Sequence, residues 1–223
     1  MKAMAKQLLM ALGLAVLAQG AMAAGDATAG QSKAAARGAC HGADGNSAMA
    51  TFPKLAGLGE KYLVKQMYDI KKGRAAGGRD VPEMTGQLDA MSNQDIEDIA
   101  AYFNQQNRQL SGASNISVQL PSGKSIKDAE VLALGEKLYR GGNMETKVPA
   151  CTGCHSPTGQ GNGPAGYPAI GGQFPGYIEK QLRDFRAGNR LNDGDAKIMR
   201  QIAEHMSDAE IIAVANFIGG LTK

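Results

Sequence analysis

The sequence predicts an all-α protein made of two small helical domains in tandem. Three observations carry this expectation. The chain repeats itself at an offset of 115 residues: FPKLAG (52–57) lies on YPAIGG (167–172), YLVKQMYDIKKG (62–73) on YIEKQLRDFRAG (177–188), and MSNQDIEDIAAYF (91–103) on MSDAEIIAVANFI (206–218). Apolar residues inside the repeats recur at helical spacing. Each repeat also carries a Cys-His pair, Cys40-His41 and Cys154-His155.

Residues 1–23 read as a signal peptide. Two lysines precede a short apolar run, Leu8 to Ala18, and Ala21-Met22-Ala23 forms a cleavage site. The run is too short to span a bilayer comfortably. The first domain is placed at 24–110. Within it, Tyr62, Leu63, Gln66, Met67 and Ile70 share one helical face, and the helix stops at Gly73. A last helix begins at Ser92, with Asp95 three residues on, the pattern of a capping box. Residues 111–127 (SGASNISVQLPSGKSIK) lack helical periodicity and read as a linker. The second domain, 128–223, repeats the plan: Tyr177, Ile178, Gln181, Leu182 and Phe185 share a face ending at Gly188, and Ser207 with Glu210 caps the last helix.

Composition narrows the chemistry. Without Lys2 and Lys6 the chain has 22 basic and 21 acidic residues, so no nucleic acid or strongly charged partner is expected. Gly is abundant, at 30 residues, and Trp is absent. The three cysteines form an odd set in an exported chain. Cys151 and Cys154 could pair as a small disulfide. However, C-x-x-C followed at once by His is the pattern of covalent haem attachment: two thiols add to the two vinyl groups and the imidazole binds iron. A zinc site would need two further ligands, from a chain with three His and one other Cys.

The repeat register explains the first Cys-His pair. Cys40 falls on Cys154, His41 on His155, and Arg37 on Cys151. RGACHG is therefore a haem-attachment site without its first thiol. A haem held there is expected to carry a single thioether, through Cys40. The stem of Arg37 can lie along the haem edge while its head reaches water.

A sixth ligand must come from elsewhere. His205 is the remaining histidine and reads as a solvent-facing residue. Of seven methionines after residue 23, Met67 pairs with Leu182, and Met49 and Met144 have no partner in the other half. Two slots hold Met in both halves. Met91 and Met206 directly precede the capping serines, where a hydrophobic staple packs back on its helix. Met84 and Met199 fall between helices, where a chain can cross a haem face, and are read as the axial ligands. His/Met ligation raises the reduction potential and leaves no position for substrate. Pro53 and Pro168 either supply a carbonyl to the iron-bound imidazole or are ordinary turn prolines.

These strings, together with GDATAGQSKAAA, EMTG, LYRGG and GNRLNDGDAKIM, resemble the cytochrome c4 family of two-haem bacterial cytochromes across essentially the whole mature chain. The resemblance implies two class I cytochrome c domains facing each other across a pseudo-twofold interface. It implies two haem c groups, held by Cys40, His41 and Met84, and by Cys151, Cys154, His155 and Met199. It also favours the proline carbonyls as histidine partners. The expected function is a periplasmic electron carrier between a quinol-oxidising complex and a terminal oxidase, not an enzyme, with peripheral membrane association left open. Alternatives are a haem subunit of a larger dehydrogenase or oxidase, a two-haem peroxidase, and a first domain that has lost its haem and serves for docking.

Overall fold

The computed structural model describes residues 25–222; the expected signal peptide lies outside them. The first half holds α1 (Ala27–Ala34), a 3-10 turn (Ala35–Arg37), α2 (Gly38–His41), α3 (Glu60–Lys72) and α4 (Asn93–Gln105). Two further 3-10 turns, Arg74–Ala76 and Pro82–Met84, fill the stretch between α3 and α4. The second half holds α5 (Ala129–Gly141), α6 (Thr152–His155), α7 (Pro175–Ala187), α8 (Ile198–Glu204) and α9 (Asp208–Gly220). The helices expected from periodicity are present, and α3 and α7 end at Gly73 (φ 70°) and Gly188 (φ 72°). Both capping boxes are complete: the Ser92 and Ser207 hydroxyls accept from the backbone N–H groups of Asp95 and Glu210, whose carboxylates accept in return.

In each half the first and last helices cross at a glycine. A Cβ on Gly30 of α1 would lie 2.0 Å from the Asp98 carbonyl oxygen, and one on Gly135 of α5 would lie 2.2 Å from that of Ala213. Residues 98 and 213 are 115 apart, so the last helix keeps the repeat register at the crossing, whereas the two glycines are 105 apart. The cores form beneath these crossings. One gathers Leu58, Leu63, Ile99 and Phe103; the other gathers Leu138, Tyr139, Leu182, Met206, Ile211 and Val214.

The segment read as a linker is ordered within the all-α plan. It carries a two-stranded antiparallel hairpin, β1 (Ser117–Gln119) and β2 (Ser125–Lys127), with Val118 opposite Ile126. Both of those side chains are buried against Val131, Ala209 and Ala213. Apolar side chains at alternate positions turn one strand face inward. The strands are too short for that alternation to stand out in sequence. Asn216 pins the preceding stretch to α9 by bonding both the N–H and the carbonyl of Ser114.

The two halves meet through a pseudo-symmetric polar interface. Arg79 and Arg190 each donate a backbone N–H to the matching carbonyl, of Asp69 and Asp184. Each guanidinium bridges the halves: Arg79 reaches Gln66, Tyr177 and Gln181, and Arg190 reaches Gln181, Tyr62, Gln66 and Asn192. Arg190 is buried and also lies over the Phe185 ring, 4.5 Å from its centroid. Removing it takes the donor from Asn192 Oδ1 and from the Tyr62 hydroxyl oxygen, while Gln66 and Gln181 keep Arg79. Arg190→Ala should therefore cost about 2–3 kcal/mol. It should also broaden thermal unfolding, because the halves lose one of their two guanidinium bridges; an unshifted and equally sharp transition by calorimetry would count against this role.

Candidate functional site

Each half places one histidine at the end of a single helical turn. His41 closes α2 and His155 closes α6. The His41 ring is buried, edge-on to Phe52 with centroids 5.9 Å apart. Its Nδ1 lies 2.9 Å from the Pro53 carbonyl oxygen, and Nδ1 of His155 lies 2.9 Å from that of Pro168. The structure thus decides the role of the prolines left open by sequence: both bond the histidine rings. A carbonyl can only accept, so Nδ1 carries the hydrogen and Nε2 keeps its lone pair. Burial lowers the pKa of both rings, with the carbonyl bonds opposing it and the Arg37 charge adding to the effect at His41. Two neutral imidazoles with a free Nε2 result.

Those prolines also join the sites to the interface. The next residue in each half donates its N–H across it: Lys54 to the side chain of Gln173 (3.0 Å), and Ala169 to the carbonyl of Leu58 (3.1 Å). Gln173 completes the pair by donating to the Lys54 carbonyl at 2.8 Å. Positions 58 and 173 again match in the repeat. Each histidine is therefore held by a segment whose other contact is the opposite half.

The thiols differ between halves. Cys151 caps α6, and the N–H groups of Cys154 and His155 both bond its carbonyl, which sets the three side chains on one turn. Cys40, Cys151 and Cys154 are unbridged, so the disulfide alternative is not realised. Burial pushes the Cys151 thiol up to about 11. Among the described residues no three His, Cys, Asp or Glu side chains converge as a metal site.

At the matching position, Arg37 is half-buried. Its head does not simply reach water, as expected, but bonds Gln87 O at 3.0 Å, Lys33 O at 3.3 Å and Met91 Sδ at 3.4 Å. The flanking backbone supplies acceptors that a one-dimensional reading could not place.

The methionine slots separate by environment. Met206 is buried in the second core, 4% exposed, with its carbonyl held by Arg186. Met91 packs on the first core, and Lys71, the repeat partner of Arg186, bonds its carbonyl. Both behave as staples. Met84 and Met199 are only partly buried. Met84 closes the Pro82–Met84 turn, whereas Met199 lies in the first turn of α8, not between helices as the sequence suggested. The Asp193 carboxylate accepts from the N–H and Nε of Arg200, which anchors the start of that helix. His205 is exposed at the end of α8, as expected.

Two helical domains, each with a carbonyl-anchored histidine (buried at His41, half-buried at His155) beside a Cys-bearing turn and a partly buried methionine in a later segment, define a c-type cytochrome. The donor set fits haem: an imidazole nitrogen with a free lone pair, unbridged thiols and soft thioethers. A family model described as Cytochrome c matches residues 29–107 and 132–222. The chain is 52% identical over 219 residues to a cytochrome c4 of Azotobacter vinelandii, covering 96% of each protein. A crystal structure of reduced recombinant cytochrome c4 from Pseudomonas stutzeri superposes with a TM-score of 0.80 at 52% identity, over 89% of this chain and 100% of that one. A more distant relative is a thiosulfate dehydrogenase electron acceptor of Thiomonas intermedia, 34% identical over 183 residues, which are 81% of this chain and 76% of that protein. The chain belongs to the cytochrome c4 family, the two-haem electron-transfer cytochromes.

Proposed function

We propose that the chain carries single electrons in the periplasm, from a quinol-oxidising complex to a terminal oxidase, through two His/Met-ligated haems. His41 with Met84, and His155 with Met199, supply the axial ligands. Cys151 and Cys154 attach the second haem, and Cys40 alone attaches the first. The observation that carries this reading is the matched pair of histidines with Nδ1 tied to a proline carbonyl. That bond orients each ring and raises the donor strength of Nε2. A bound haem supplies a one-electron iron couple. The protein holds its ligands rigid, which keeps reorganisation small. It also ties both sites to one interface. The staple roles of Met91 and Met206 leave Met84 and Met199 as the thioethers free to ligate, and a filled sixth position disfavours peroxidase chemistry.

The relative that accepts electrons from thiosulfate dehydrogenase supports a second reading, in which this chain docks to a dehydrogenase rather than shuttling between respiratory complexes.

The test counts haems and their links. Two irons per chain are expected before denaturation, and an intact mass of the mature chain plus two haems after it. The first haem keeps one vinyl group in conjugation, so its reduced pyridine haemochrome should be red-shifted from the second. Identical haemochromes on a chain retaining two haem masses would overturn the single link. One iron per chain would mean an empty first domain.

A further inference from the structure

Arg37 and Cys151 occupy matching slots, and the Arg37 side chain turns toward the methionine that precedes the last helix. Cys151 packs on the core that contains Met206, and Arg37 Nη2 lies 3.4 Å from Met91 Sδ. The guanidinium also bonds Gln87 O and Lys33 O. It therefore connects the helical turn bearing His41 to the stretch between Met84 and Met91. All three acceptors are neutral. Among the described residues no carboxylate forms an ion pair with Arg37. A half-buried positive charge thus stands one helical turn from His41, at a place where the second half has a neutral thiol.

We propose that Arg37 takes the place of the missing thioether as a charged clamp: it holds together the two segments that carry His41 and Met84, and it raises the reduction potential of the first site. The physical reason is electrostatic. The ferric site carries one positive charge more than the ferrous site, so a nearby fixed cation disfavours the ferric form. This repulsion is only partly screened where the protein displaces water. The couple takes one electron from a mediator and moves no proton. The proposal rests on the reading that a haem occupies the first site.

Potentiometric titration of the two-haem protein tests it, with the second haem as internal reference. Arg37→Gln removes the charge but can still donate to Gln87 O. Arg37→Lys keeps the charge but cannot span three acceptors. At a fixed applied potential, the glutamine variant should shift the ferric-to-ferrous ratio of the first site about tenfold toward ferric, which is about 59 mV for one electron. The lysine variant should stay within about threefold of the parent. Both should lose the Met-to-iron absorption band of the first site at a lower temperature, because both weaken the clamp. An unmoved glutamine variant, or a lysine variant displaced as far as glutamine, overturns the electrostatic role. If the glutamine variant does not retain two irons, the lysine variant decides: a shift beyond about threefold overturns the proposal. Iron analysis of the parent comes first. One iron per chain would sink the haem reading of the first site, and the proposal with it. Two irons with unmoved potentials would sink the proposal alone.

Discussion

Met199→Ala should abolish the Met-to-iron absorption band of the second haem, convert that haem from low spin and lower its reduction potential, with little loss of fold. Met206→Ala should do the reverse. Met206 is buried among Leu138, Tyr139, Ile211 and Val214, so truncation leaves a cavity costing about 2–5 kcal/mol. Met199 is partly buried at the start of a short helix and contributes less packing. Under the proposed ligation its thioether matters because a soft sulfur ligand favours ferrous iron, and losing it would remove that preference. Absorption spectroscopy and denaturant unfolding of the two variants together separate the roles. If Met206→Ala lost the band while Met199→Ala kept it, the ligand assignment would be wrong. Met84 and Met91 should divide in the same way, and the Met91 sulfur already accepts from Arg37.

Gly135→Val is expected to destabilise the second domain by about 3 kcal/mol or more, the upper range for forcing volume into a packed contact. Its Cβ would lie 2.2 Å from the Ala213 carbonyl oxygen and 2.8 Å from the Cβ of Phe217. Neither atom is the end of a flexible side chain, so α5 and α9 would have to part. The core beneath them contains Tyr139, whose hydroxyl bonds the Ser156 carbonyl just after His155. Disruption should therefore reach the second haem site. Gly30→Val should behave likewise, with its Cβ 2.0 Å from the Asp98 carbonyl oxygen. Gly141→Ala is the control: nothing lies within 4 Å of its Cβ, and a change under about 1 kcal/mol is expected. Thermal unfolding followed by circular dichroism measures all three. Equal midpoints for Gly135→Val and Gly141→Ala would show that the crossing tolerates a side chain.

Much of the helical plan was legible because it is local. The faces of α3 and α7, their terminal glycines and the boxes at Ser92 and Ser207 depend on residues within a few positions of one another. The Cys-His turns were legible for the same reason. The internal repeat then assigned Arg37 to a thiol position without any structure. The short hairpin was missed, since Val118 and Ile126 alternate over only three residues each and their partners come from α5 and α9. The helical placement of Met199 was missed too, because Asp193 anchors that helix from outside it.

The order of residues alone establishes that this chain is two copies of one helical unit, that each copy presents a histidine beside a cysteine, and that one copy lacks a thiol. These properties follow from spacing along the chain, which sets helical faces and turns before any distant contact forms. Packing in three dimensions is what makes Pro53 and Pro168 orient the histidines, Gly30 and Gly135 helix crossings, Arg79 and Arg190 bridges between the halves, and Gln87 and Met91 the partners of the Arg37 head. Each is a contact between segments far apart in sequence or a choice among acceptors. Its energy depends on which groups lose water together, and that is settled when the helices pack.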